Sequence, residues 1–127
     1  MRIIIDTHVL IWYLNGDKEL PARLVKILED SDNTIIISVV SLWEITIKLA
    51  KEKLKTGISL DQIQEYIKSR DVELLDIEFT SLLALLKLPY HHGDPFDRML
   101  IAQATAFNVP ILSADRHFAA YPINVIW

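Results

Sequence analysis

Three short β-branched runs constrain this chain more than anything else in it: Ile3-Ile4-Ile5, Ile35-Ile36-Ile37 and Val109 to Ser113 are apolar almost without interruption. A strand with one wet face alternates polar and apolar side chains, so an unbroken run is read as a strand buried on both faces, as in parallel sheets covered by helices. The segments between the runs carry helical spacing instead. Thr7 is placed to cap a helix through Leu14, closed by Asn15-Gly16; Leu20, Leu24, Ile27 and Leu28 form an apolar stripe over Pro21 to Asp30. Val39, Trp43, Ile47, Ala50 and Leu54 mark the core stripe of a longer helix starting at Ser38 or Ser41. Ser59 with Gln62 forms a capping box for a helix through Lys68, with Leu60, Ile63, Tyr66 and Ile67 facing inward. Val72 to Leu75 reads as a strand, Thr80 caps a leucine-rich helix from Leu82 to Leu88 that suits either the core or a partner, and Ile123 to Ile126 supplies a final edge strand. This alternation predicts an α/β three-layer sandwich, a central, mostly parallel sheet with helices on both faces. At 127 residues and 51% hydrophobic content, residues 1–127 are expected to form one domain.

Against that frame the acidic residues fall in suggestive places. Asp6 follows the first strand and Asp115 follows Ile111-Leu112-Ser113-Ala114, so both sit at carboxyl ends of strands, where open α/β sheets bind their ligands. One such Asp is as well explained as a turn cap; the repetition favours a site. In Asp94-Pro95-Phe96-Asp97-Arg98, Asp94 is a good N-cap and Pro95 suits the first helical position, so capping accounts for Asp94. Asp97 lies just beside the stripe of Phe96, Leu100, Gln103 and Phe107, which capping does not explain. Glu44 lies off the stripe of its own helix, near the strand-end edge. It also matches a capping box with Ser41 and an i,i+4 ion pair with Lys48.

With no cysteine, disulfides and thiolate metal sites are excluded, and a cation would have to be held by oxygen or imidazole. Four carboxylates, Asp6, Glu44, Asp97 and Asp115, expected to converge with no basic residue between them, read as a site for Mg²⁺ or Mn²⁺. Such an ion can activate water and stabilise charge developing on a phosphodiester. A formal net charge of −4 argues against a general polyanion binder, yet Lys48, Lys51, Lys53 and Lys55 form a dense basic ridge, and Arg98 and Arg116 lie beside the acids. These six are the candidate RNA contacts. The pair His91-His92 could suggest metal binding or a proton donor, but exposed loop residues are the favoured reading, since adjacent side chains diverge. No leader-like segment or membrane-length apolar run is present, so a cytoplasmic protein away from any membrane is expected.

The residues Ile5-Asp6-Thr7, Ser41-Leu42-Trp43-Glu44, Asp94 through Ala104 and Leu112-Ser113-Ala114-Asp115 together resemble the PIN-domain family, and within it the VapC-type toxins of toxin–antitoxin pairs. The resemblance spans the whole chain, and the Asp-Pro-Phe-Asp-Arg block is its most specific part. It implies that Asp6, Glu44, Asp97 and Asp115 hold Mg²⁺ and support hydrolytic RNA cleavage, with Ser113 and Thr7 as polar supports behind them. It further implies a homodimer neutralised by a cognate antitoxin. Two alternatives come from other classes: a Mg²⁺-dependent phosphoryl-transfer domain with Asp6 as nucleophile, and a catalytically silent α/β protein-binding module. The first usually wants a second acid within two residues and a late-strand lysine; here Thr7 and His8 follow Asp6.

Overall fold

The structure is a computed structural model and describes residues 1–51 and 57–127. Along the chain run β1 (Arg2–Ile5), α1 (Thr7–Asn15), α2 (Ala22–Glu29), β2 (Thr34–Ser38), α3 (Val39–Ala50), α4 (Leu60–Ser69), β3 (Glu73–Leu75), α5 (Phe79–Lys87), α6 (Pro95–Phe107), β4 (Ile111–Leu112), a 3-10 turn (Arg116–Ala120) and β5 (Val125–Ile126). The sheet has the order β3-β2-β1-β4-β5 with every pairing parallel, which makes the expected mostly parallel sheet wholly so.

Alternating side chains of the buried strands feed two separate cores, which is why the runs had to be apolar throughout. Ile3, Ile5, Ile35, Ile37 and Leu112 pack with Leu10, Leu24, Leu28 and Ile63 from α1, α2 and α4. Ile4, Ile36 and Ile111 pack on the opposite face with Leu100 and Ile101 from α6 and with Phe118. Helix ends follow local chemistry: Gly16 takes the left-handed conformation at φ 62° where α1 stops, and the Ser59/Gln62 capping box opens α4 as expected.

The departures from the sequence reading have physical causes. Asp6, not Thr7, caps α1, its side chain accepting from the Val9 amide. Helix α3 leaves β2 with no intervening loop, capped by Ser38, so its rotation is inherited from the strand. That rotation buries Val40, Ser41, Glu44 and Ile45 and leaves Trp43 59% exposed, shifting the expected stripe and moving Glu44 onto the inward face; the Ser41/Glu44 capping box does not form. Leu54 lies outside the described residues. Thr80 sits inside α5, which starts at Phe79 behind Glu78 with no side-chain cap. Phe79, Leu83 and Leu86 are exposed, so much of the leucine-rich segment is surface, and Leu60 of α4 also faces out.

Candidate active site

The chain lays down β1, β2 and β3 in one direction and then returns to place β4 and β5 on the other side of β1. The order reverses between β1 and β4, and a crevice opens at the carboxyl ends of strands flanking such a reversal. Asp6 and Asp115 leave those two strands. Ile5 is in register with Leu112, and the Asp6 amide donates to the Leu112 carbonyl at 3.1 Å. Ser113 sits between the two acids: its hydroxyl donates to Asp6 Oδ2 and accepts from the Asp115 amide at 3.0 Å. Asp6 is only 4% exposed, and burial raises its pKa, opposed by the Ser113 and Val9 hydrogen bonds and by His8, and reinforced by Asp115.

Glu44 reaches the same end of the sheet from α3. Its Oε1 accepts from Thr7 Oγ1 at 2.7 Å, and that hydroxyl lies 3.1 Å from Ser41 Oγ. Thr7 has one proton, which goes to the carboxylate, so Ser41 completes the chain from behind. The other Glu44 oxygen accepts from Lys48 Nζ at 2.8 Å. The i,i+4 ion pair expected from the spacing of Glu44 and Lys48 forms, so a cation reaches this edge along the helix.

Asp97 enters from the first turn of α6, whose cap is Asp94, with Oδ1 accepting from the Asp97 amide at 2.9 Å. Although it lies at the helix's positive end, the Asp97 carboxyl is pushed up to about 7, first by burial and then by Asp94, Asp115, Glu44 and Asp6. Its electrostatic neighbours are thus the other three candidate acids together with its own cap. His92, read from sequence as exposed, is instead half-buried against the site, with Nε2 3.3 Å from Asp97 Oδ2 and the ring stacked on His117 at 4.9 Å. Burial, and then His117, hold its pKa below the ordinary imidazole value. His117 in turn contacts Asp115 Oδ1 through Nδ1 at 3.0 Å, and its amide donates to the same oxygen. Sequence spacing carries no sign of His117, Ser41 or Tyr121 at this edge, because each arrives from a turn with no periodicity of its own or is absorbed by a capping pattern, while the pairing of His91 with His92 hints at a role without saying which ring turns inward.

Of the candidate RNA contacts, Arg98 is displaced from that role. It is buried, donating to the Pro89 and Leu88 carbonyls at 2.8 and 3.2 Å and to Tyr121 Oη at 3.1 Å, with Tyr90 stacked at 3.7 Å from the guanidinium carbon. It fastens the loop ahead of α6. Arg98→Leu should lower stability by about 2–4 kcal/mol, because two carbonyls and a hydroxyl lose a charged donor, read as a drop in the urea midpoint. An unchanged midpoint would mean the loop holds without it. Arg116 and Lys51 are exposed, Lys48 is committed to Glu44, and Lys53 and Lys55 lie outside the described residues.

Oxygens from four acids predominate at this edge beside the imidazoles of His92 and His117, and two of the acids, Asp6 and Asp97, are carboxyls whose ionisation the surroundings oppose. That chemistry fits a hard divalent cation. Among the described residues no three acids or histidines stand at the spacing of a metal cage.

A family model, the PIN domain, matches residues 3–124. The fold is similar to that of a chain in VapBC2 from Rickettsia felis bound to a DNA fragment from their promoter, with a TM-score of 0.79 at 19% identity, covering 100% of this chain and 99% of that one. It is similar also to a chain of a toxin–antitoxin complex from Klebsiella pneumoniae (TM-score 0.66, 18% identity, 98% and 96% covered) and of FitAcB from Neisseria gonorrhoeae (0.68, 15%, 98% and 96%). No curated protein sequence matches.

Proposed function

This chain belongs to the PIN-domain family, and from that premise we propose that it is a Mg²⁺- or Mn²⁺-dependent endoribonuclease, with residues 1–127 acting as one domain and serving as the toxin of a toxin–antitoxin pair. The observation that carries the reading is the gathering of acids at one end of the sheet: Asp6 and Asp115 follow the two strands at the reversal and are joined through the Ser113 hydroxyl, Glu44 is tied to Thr7, the residue after Asp6, and the Asp97 carboxyl is raised by burial and by the charges of these acids and of Asp94. Those four carboxylates would hold the ion. When bound, it would make water more acidic and offset the charge developing on the phosphodiester.

The protein's own part is orientation and charge. Ser113 holds Asp6 through Oδ2 and the Asp115 backbone through its lone pair, so one hydroxyl fixes two of the acids. Thr7 holds one oxygen of Glu44 while Lys48 neutralises the other. With Glu44 holding a cation, Lys48 would share or yield that oxygen, and its ammonium would then be free for a phosphate of the RNA. Lys51 and Arg116 add exposed positive charge, and Lys53 and Lys55, outside the described residues, follow Lys51 in the sequence. The quadruple Lys→Gln variant at 48, 51, 53 and 55 should weaken RNA binding and flatten its log–log salt slope by about 0.7 for each single-strand phosphate that is no longer neutralised. An unchanged slope would remove the ridge from RNA recognition.

The similarity to chains of toxin–antitoxin complexes supports an antitoxin as partner, and the exposed apolar side of α5, with Leu86 82% exposed, supports a homodimer. No helix among the described residues is long and apolar enough to cross a membrane, and a cytoplasmic site of action is proposed with the toxin role. The test is cleavage of a single-stranded RNA by purified protein with Mg²⁺ or Mn²⁺ and with EDTA. Absence of metal-dependent cleavage by the wild type, where an unrelated PIN nuclease cuts the same RNA, would overturn the assignment.

A further inference from the structure

We propose that Arg98, Tyr121 and His92 form a hydrogen-bonded relay that fixes the tautomer of His92 and thereby positions the Asp97 carboxylate for a cation. The inference rests on the reading of Asp97 as a ligand, and it concerns positioning residues that touch neither ion nor RNA.

The direction of the relay follows from counting protons. Arg98 can only donate, so its Nη1, 3.1 Å away, takes one lone pair of Tyr121 Oη. The His92 amide donates to the same oxygen at 3.3 Å and takes the second. Tyr121 then has no acceptor capacity left, and its single proton must leave toward a neighbour. Two are available: His92 Nδ1 at 2.8 Å and the His92 carbonyl at 3.5 Å. The shorter contact receives it, which makes Nδ1 an acceptor and obliges Nε2 to carry the ring proton. Nε2 is the atom facing Asp97 Oδ2 at 3.3 Å. The carboxylate is therefore held by a donor on one oxygen. Stacking on His117 at 4.9 Å and 4°, with Tyr121 edge-on at 5.5 Å, keeps the ring in that plane. Because Arg98 directly follows Asp97 on α6, the adjacent acid and base of the motif act on one another through the loop rather than as neighbours.

Groups that orient a metal ligand typically contribute 10- to 100-fold in metal affinity or activity. Long-range ¹H–¹⁵N correlation spectra of the metal-free full chain should show His92 as the Nε2–H tautomer. In Tyr121→Phe, which keeps the ring but deletes the proton, that tautomer should no longer be enforced, and the Mn²⁺ dissociation constant should rise roughly 10-fold. His92→Leu should do the same, whereas His92→Gln, whose amide can place an N–H where Nε2 stood, should recover most of the affinity. Circular dichroism identifies any variant that has lost its fold, and the wild-type spectrum does not depend on one. An Nδ1–H tautomer in the wild type would overturn the relay, as would wild-type Mn²⁺ affinity in both folded Tyr121→Phe and His92→Leu. These readouts need no RNA: a wild type that binds Mn²⁺ through the relay but cleaves nothing sinks the nuclease assignment and leaves the relay standing.

Discussion

Asp97→Asn is expected to reduce metal-dependent RNA cleavage by more than about 100-fold, beyond what loss of a merely supporting group costs, while the fold persists. Asn matches Asp in size and can still take a hydrogen bond from His92, so what disappears is the ligand charge. Asp94→Asn is the control within the same motif. Its Oδ1 accepts from the Asp97 amide, a role Asn fills nearly as well, so α6 loses little stability. Asp94 is also the foremost charge holding the Asp97 pKa up after burial. Neutralising it should let Asp97 ionise at lower pH and shift the acid limb of the activity profile downward, with only a modest change in maximal rate. Rates of both variants across pH 5.5–8.5 at Mn²⁺ below its dissociation constant, where protonation of Asp97 competes with the ion, check this. Cleavage lost in Asp94→Asn and kept in Asp97→Asn would mean that the roles of the two acids are reversed.

Metal ions should raise the melting temperature substantially, and the gain should depend on Asp97. An ion that binds only the folded state adds about 2.7 kcal/mol at one hundred times its dissociation constant, roughly 10 °C for a chain of this size. EDTA should abolish that gain, and Asp97→Asn should lose most of it. Without metal the order changes with pH. The folded Asp97 pKa stands near 7, above the ordinary carboxyl value, so its favourable contribution is complete below the unfolded pKa and is lost as pH rises through about 7. In EDTA the two proteins should therefore melt most alike near pH 4, the gap should widen as pH rises toward about 7, and near pH 8 the variant should melt higher because it never acquires the unwelcome charge. Thermal unfolding at both pH values, with EDTA and across a Mn²⁺ titration, tests each arm. Equal metal-induced shifts in the two proteins would leave Asp97 no role as a ligand.

Those expectations are reachable from sequence because the features behind them are local. Buried parallel strands announce themselves as Ile3-Ile4-Ile5 and Ile35-Ile36-Ile37, and an acid directly after a strand has few places to go. The rotation of α3 is not legible. It depends on the absence of a loop after Ser38, and one residue of offset exchanges Trp43 for Glu44 on the inward face. Arg98 escapes a sequence reading for a related reason. Sequence shows a cation beside an acid, and only the path of residues 88–92 shows that the guanidinium is spent on backbone carbonyls. His92 and Tyr121 stand 29 residues apart in turns, where neither a period of 3.6 nor one of 2 exists to connect them.

The strand order also bears on how the chain is made. β1 precedes both of its neighbours in the chain, yet one of them, β4, comes long after it, and the Ser113 hydroxyl that grips Asp6 lies 107 residues downstream. Pairings so distant in sequence form late, since a long loop must close before any contact rewards it. Until then Asp6 hangs at the end of a half-built sheet, with Asp97 and Asp115 still unsynthesised or unplaced. The proposed carboxylate site therefore cannot assemble until both α6 and β4 have been made and packed, whatever else of the fold has already formed.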